Sequence, residues 1–480
     1  MSSDNSAAVK LDWDMAKRYV GEQVVRQILN YLEGNPDQNI PRLFKVIEPL
    51  LRNPVQRKHA RNLRLAYEND PVMKAYFNSL FSDIDRDMRN KIICNYVVNS
   101  VMVGWPHREQ IEAKEHFTPP FTILIDPTSA CNLKCAGCWA GEYARHDELE
   151  PELLDRILKE AKELGIYTIV MSGGEPFVYP HLLDMAARHN DMAFMIYTNG
   201  TRIDDVVADR LKELGNIVPC FSLEGWAAET DARRGRGVFD KIMAAMARLR
   251  TRRLLFAASL TITSQNVETV TSDEFIDFLI SQGVRFMWTF HYIPIGRDPD
   301  VNLMIRPEQR AYLAERIPYI RKHKPMPIAD FWNDGELTRG CIAGGASYFH
   351  INARGDVEPC AFVHFAVDNI RDKSLKEVLS CRFFAEYQKD QPFSDNLLRP
   401  CPIIDNPQFL RQIIRNTGAR PTHAGAETVL GGEIGSFLDQ RSADWKRIAD
   451  PIWDESRKAR DLQEQQAQGM KTVNVGFAPL

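Results

Sequence analysis

The sequence predicts an α/β fold of parallel βα units, with a helical region before it and a small cysteine-bearing extension after it. Three observations carry that reading. Strand-like and helix-like hydrophobic patterns alternate through residues 118–300, as parallel strands joined by crossover helices do. The chemically distinctive residues collect in the loops after the strand patterns, where parallel α/β folds place their ligands. The first such loop holds Cys131, Cys135 and Cys138, three thiols on one short turn.

Length and composition bound the rest. With 480 residues, two or three domains are expected. A charged fraction of 26% and a hydrophobic fraction of 44% are ordinary for a soluble globular chain. The net charge of -4 and the lack of any Lys/Arg run argue against a nucleic-acid partner. The nine cysteines are odd in number, and the polar opening Met1-Ser2-Ser3-Asp4-Asn5 is no signal peptide. Metal-bound thiolates in a reducing cytoplasm fit this better than disulfides.

Residues 1–117 read as a helical amino-terminal region. Tyr19, Val20, Val24, Ile28, Leu29 and Leu32 recur at helical spacing, and Gly34-Asn35-Pro36 stops that helix. Ile40–Leu51 repeats the pattern up to Pro54, and Met73–Phe81 forms another amphipathic stretch. The most apolar run, Ile92–Val103, is too short to span a bilayer and carries Asn95, Asn99 and Ser100. Two readings remain open for it: a helix docked on the main domain, or a wall beside the mouth that admits an apolar chain.

Residues 118–300 supply the βα units. Candidate strands are Thr122–Asp126, Tyr167–Ser172, Ala193–Thr198, Ile217–Leu223, Phe256–Thr263 and Arg285–Tyr292. Helical patterns at Leu153–Leu164, Asp204–Leu214, Phe239–Leu249 and Ser272–Gln282 lie between them. Cys220, inside a strand pattern, and Cys94, on the apolar run, read as core.

The chemistry starts at Cys131-Asn132-Leu133-Lys134-Cys135-Ala136-Gly137-Cys138. Three thiolates on a cubane iron–sulfur cluster leave one iron open, which points to chemistry rather than plain electron transfer. A zinc site favours two separated Cys pairs, and no second close pair follows. Met171-Ser172-Gly173-Gly174-Glu175-Pro176, Tyr197-Thr198-Asn199-Gly200, and Phe221-Ser222-Leu223-Glu224-Gly225 with Arg234-Gly235 end the next three strands. In this order these segments resemble the radical S-adenosylmethionine (SAM) enzymes, over roughly residues 118–410. One departure is visible: the residue before the third Cys is often aromatic in that family and is Gly137 here, with Trp139 as the candidate to cover the cluster instead.

The resemblance implies a partial (β/α)6 TIM-like barrel. It implies a [4Fe-4S] cluster on Cys131, Cys135 and Cys138 that binds SAM and cleaves it to a 5′-deoxyadenosyl radical. Reduced flavodoxin or ferredoxin would be the electron donor. Gly173, Gly174, Glu175 and Pro176 would hold the methionine end of SAM. Glu175 suits the cationic amine, because charge-assisted hydrogen bonds are the stronger kind. Thr198, Asn199, Ser222, Glu224, Asn266 and Arg234 are polar groups at strand ends, candidates for ribose or carboxylate contact. His291-Tyr292-Ile293-Pro294-Ile295-Gly296-Arg297-Asp298 closes the last strand and faces the mouth.

Residues 301–410 hold a second cysteine set. Tyr348–Cys360 reads as a hairpin with its turn at Asn352–Gly355. With Cys341, Asn369-Ile370 and Ser374-Leu375 it resembles the SPASM/Twitch extension of radical SAM enzymes. One auxiliary cluster on Cys341, Cys360 and Cys401 is expected. Cys381, in the helical pattern Leu375–Tyr387, is a weaker ligand candidate. Residues 411–480 read as a charged helix, Leu430–Arg460, and a tail. The substrate stays open among a peptide, a lipid or other apolar chain, and a cofactor precursor, with at most peripheral membrane contact. The rival class is a non-enzymatic iron–sulfur electron carrier or sensor.

Overall fold

The computed structural model describes residues 4–50, 54–115, 117–144 and 146–473. Residues 474–480 of the expected tail lie outside them. The strands of the main sheet are β1 (Thr122–Ile125), β2 (Thr168–Met171), β3 (Ala193–Thr198), β4 (Ile217–Leu223), β5 (Ala257–Ile262), β6 (Met287–His291), β7 (Ile328–Asp330), β8 (His350–Ile351) and β9 (Val357–Glu358). They form one sheet in the order β7-β6-β5-β4-β3-β2-β1-β8-β9. From β1 to β7 every pairing is parallel. The six expected strands are present, and the sheet runs past them at both edges, with β7 on one side and the β8–β9 hairpin on the other.

Two hydrophobic cores sit on the two faces of the sheet. Ile169, Phe194, Ile196 and Met287 pack outward against Ile157, Leu158, Leu211, Ile242 and Leu279 of the crossover helices. Leu124 faces the other way and belongs to a second core with Tyr292, Trp332, Tyr348, Phe365 and Phe383. The period-2 alternation of the strands assigns each side chain to one core or the other.

The helical region, Asp4–Gly34 through Trp105–Glu115, covers the amino ends of the strands. Asn95 donates to the carbonyls of Asn190 (3.0 Å) and Met192 (2.8 Å), just before β3. Asn99 donates to Asp191 O at 2.9 Å, and Arg108 to Gly165 O at 2.6 Å before β2. The Asp85 amide donates to Arg253 O at 2.6 Å before β5. The apolar run lies mostly in Cys94–Gly104, wound as a π-helix, a rare form. Its Asn95, Asn99 and Ser100 are buried. The docked-helix reading therefore holds, and the run is no wall of the mouth: it closes the opposite end.

The hairpin joins β8 in parallel to β1, with Leu124 opposite His350. His350 is fully buried and sits between two carboxylates, Asp126 at 2.9 Å and Glu358 at 2.6 Å. Burial alone would lower its pKa; Asp126 and Glu358 outweigh that and raise it to about 10. Between the ordinary histidine value and about 10 the folded chain thus binds a proton that the unfolded chain lacks. The stability contributed is complete below about 6.5 and is lost as pH rises through about 10. Urea unfolding from pH 7 to 10 should show stability falling with pH, and His350→Gln should flatten that slope. An unchanged slope in the variant would assign the fall to other groups.

Two helical readings are corrected. Leu375–Tyr387 is broken in two, Leu375–Leu379 and Arg382–Lys389, with Cys381 at the start of the second. The carboxyl-terminal helix is longer than expected, Gly432–Val473. It packs on the helix Pro307–His323, where the Arg310 guanidinium lies 4.6 Å from the Trp445 ring centre.

Candidate functional site

β1 ends at Ile125, and the Cys loop leaves it at the carboxyl end of the sheet. Cys131, Cys135 and Cys138 line one cavity with Gly173, Gly174, Tyr143 and Arg297. Gly174 is required by the neighbouring loop: a Cβ there would collide with the Ser129 and Ala130 backbone. The glycine pair thus seats the β2 loop against the Cys loop, while its backbone still faces the cavity.

Glu175 is fully buried and ties two strand ends together. It accepts from Thr198 Oγ1 and the Asn199 amide, each at 2.7 Å, and from the Phe177 amide at 3.2 Å. Burial raises its pKa, against the pull of those donors. Asn199 in turn donates to Asn132 Oδ1 at 2.9 Å, and its Nδ2 lies 3.9 Å from Cys131 Sγ. Ser222 is half-buried on β4.

Glu224 and Arg234 pair with each other at the end of β4. Arg234 makes a two-pronged pair with Glu224, at 2.6 and 2.7 Å, and Arg233 adds a third bond at 2.6 Å. Burial would raise the Glu224 pKa; Arg234 and Arg233 outweigh it and hold it low. Asn266 is saturated by backbone and Thr263. It donates to Glu224 O and Thr261 O, each at 2.9 Å, and accepts from the Thr263 amide and hydroxyl. Its side chain orients the β4 and β5 loops and has no capacity left for ribose.

Arg233 is a residue that sequence reading missed. Its guanidinium donates to Ala136 O at 3.1 Å and Gly137 O at 3.3 Å, and its own carbonyl accepts from the Ala136 amide at 2.9 Å. It therefore grips the Cys loop while anchored on Glu224. The Arg233-Arg234 doublet before Gly235 was a readable signal. Arg297 grips the loop from the other side, its amide donating to Cys138 O at 3.0 Å and its side chain to Gly141 O at 2.6 Å.

The aromatic cover is not Trp139. Gly137 has φ +60, and a Cβ there would lie 2.6 Å from the Tyr292 ring. Tyr292, one residue past β6, occupies that space. Trp139 turns toward the second cysteine set, with ring centres 6.1 Å from Phe362 and 5.7 Å from His350.

Cys341, Cys360 and Cys401 come together around two buried tyrosines. Tyr387 Oη lies 3.8 Å from Cys341 Sγ. Burial pushes the Tyr348 and Tyr387 phenols up, and all three thiols act on both in the same direction. Cys381 stands apart, beside Asp368. Cys131, Cys360 and Cys401 each accept an amide N–H from the residue two positions on, at 3.4 Å. Such N–H···S bonds tune iron–sulfur potentials. Among the described residues no three His, Cys, Asp or Glu side chains converge on a single metal ion. An all-thiol donor set beside an arginine field fits the larger, anionic cluster: Arg233 and Arg297 both act to lower the Cys138 pKa, which burial raises.

The comparisons agree with this geometry. Residues 125–279 match the radical SAM superfamily, and residues 341–402 an iron–sulfur cluster-binding domain named SPASM. The chain is similar to an AdoMet-dependent heme synthase of Methanosarcina barkeri, 25% identical over 54% of this chain and 82% of the relative. It is similar to a mycofactocin maturase of Mycobacterium tuberculosis, 30% identical over 52% of this chain and 68% of the relative. It is also similar to a PqqA peptide cyclase of Ruegeria pomeroyi, 25% identical over 56% of this chain and 76% of the relative. Among the described residues no helix is long and apolar enough to cross a membrane. The chain belongs to the radical SAM superfamily: it is an enzyme, rather than a plain electron carrier, that uses a [4Fe-4S] cluster and S-adenosylmethionine and carries a SPASM iron–sulfur domain.

Proposed function

We propose that the enzyme modifies a peptide by radical chemistry at the carboxyl ends of β1 to β6. The observation that supports this most is the second cysteine set, built against the mouth and joined to the Cys loop through Trp139 and Phe362. Auxiliary-cluster regions are common among the family's peptide modifiers, and one relative is named a peptide cyclase. The lipid reading has lost its seat, because the apolar amino-terminal run packs at the closed end. A porphyrin is the rival substrate, favoured by the similarity to a heme synthase.

In this reading Cys131, Cys135 and Cys138 hold the SAM-binding cluster, and Cys341, Cys360 and Cys401 the auxiliary one. When bound, the first cluster and SAM supply a 5′-deoxyadenosyl radical that takes a hydrogen atom from the substrate. The chain's own residues hold the geometry. Gly173–Pro176 would receive the methionine end of SAM, with the Glu175 carboxylate tying that loop to the end of β3. Arg233, on Glu224, keeps the Cys loop in register. Tyr292 covers Gly137 and excludes water from that side. Reduced flavodoxin or ferredoxin delivers the electron.

The test is direct. Reduced, cluster-reconstituted enzyme is incubated with SAM and either a short peptide encoded beside its gene or coproporphyrin. A SAM-dependent mass change is expected in the peptide and none in the porphyrin. The reverse pattern would sink the proposal.

A further inference from the structure

The concave face of the sheet carries an aromatic layer that the cluster chemistry does not use. Trp288 and Phe290 alternate along β6 with Met287, Thr289 and His291, which are at most 1% exposed. The alternate positions keep partial exposure although β6 is an inner strand. Tyr197 on β3 does the same between buried Ile196 and Thr198. The Tyr197 and Phe290 ring centres are 5.7 Å apart, edge to face. Yet β3 and β6 are separated by β4 and β5, about 14 Å along a flat sheet. The rings can meet only across the inside of a curled sheet, so both point into the lumen. Trp288 stacks on Phe290 at 6.2 Å, and Phe331, just past β7, reaches Phe290 at 5.2 Å.

This layer lies directly beneath the cluster site. Tyr197 precedes Thr198 and Asn199, which bind Glu175 and approach Cys131. Phe290 is two residues before Tyr292, which covers Gly137. The remaining half-buried positions of the inner face, Val170, Met195, Ser222 and Thr261, bear no charge. The Trp288 indole N–H is buried and has no hydrogen-bond partner among the described residues.

We propose that the lumen holds an aromatic side chain of the substrate, uncharged and carrying a hydrogen-bond acceptor such as a phenol oxygen, against Tyr197, Phe290 and Phe331 with the Trp288 N–H as its partner. This rests on the peptide reading and names which part of the peptide enters. Edge-to-face and offset-stacked contacts favour an aromatic guest over an aliphatic one of similar size. An unpaired indole N–H rewards an acceptor and penalises a guest that lacks one.

The test uses binding rather than turnover. Holoenzyme, with clusters reconstituted and SAM present but no reductant, is examined by saturation-transfer NMR and equilibrium dialysis. The probes are N-acetyl-tyrosinamide, N-acetyl-leucinamide and coproporphyrin. The tyrosine amide should bind roughly tenfold more tightly than the leucine amide. Phe290→Leu and, separately, Tyr197→Leu should erase that preference while keeping wild-type iron content and circular dichroism. Equal affinity for the two amides, or a preference that survives both substitutions, would overturn the aromatic assignment while leaving the peptide reading intact. Binding of coproporphyrin alone, lost in the same variants, would overturn both.

Discussion

Cys135→Ala is expected to abolish formation of 5′-deoxyadenosine from SAM by the reduced, reconstituted enzyme. With one of the three thiols gone, the loop no longer presents the set that leaves a single iron open. Cys131, Cys135 and Cys138 line one cavity, and Arg233, Arg234 and Arg297 all act on Cys138. No other described cysteine stands close enough to substitute, because Cys220 is fully buried in β4 and the second set is gathered on Tyr348 and Tyr387. Product is measured by chromatography against a titanium- or dithionite-reduced wild type. Iron analysis separates the sites: replacing all three cysteines should lower the content from about eight irons per chain to about four. Undiminished 5′-deoxyadenosine from Cys135→Ala would refute the ligand assignment.

The second large effect is on stability. Glu224 is 2% exposed and pairs with both Arg233 and Arg234. Glu224→Ala leaves two guanidinium groups without their carboxylate, and breaking a buried ion pair in this way costs about 3–5 kcal/mol. That is a large share of the ~5–15 kcal/mol that holds a domain folded. A steep fall in the urea midpoint is expected. Glu224→Gln keeps an acceptor in place and should lose less. It should still loosen the Cys loop, read as faster loss of iron to a chelator, because Arg233 reaches Ala136 and Gly137 from its seat on Glu224. The Glu224 carboxyl is held below its ordinary range, so this contribution is present at neutral pH and is lost as pH falls through the folded value. Equal midpoints for wild type and Glu224→Ala would show the triad to be energetically idle.

The parallel barrel was readable because its strands alternate in a fixed period and its motif loops recur at strand ends. The meeting of Cys131, Cys135 and Cys138 at one cavity was readable because spacing on a loop limits where side chains point. Partners that depend on packing between distant segments were not. Arg233 and Arg234 are adjacent, and the helix Ala227–Arg234 that follows β4 turns both of them back to Glu224. Glu224, Arg234 and Asn266 looked like open polar groups, since a sequence does not show that neighbours will fill their hydrogen bonds. The three-residue strand β7 is too short for any period. Trp139 was placed over the cluster by proximity in sequence, but the aromatic pocket of Phe362, His350 and His364 drew it away.

The exchange at Gly137 has a wider consequence. A cover carried on the Cys loop itself is inherited with the loop as one unit. Here the ring comes from Tyr292, some 150 positions later in the chain, so the loop and the residue packed on it follow different strands, β1 and β6. Any drift in the curl of the sheet moves the ring relative to the loop. The closure of the barrel, rather than the local motif, thus sets how closely Tyr292 packs on Gly137.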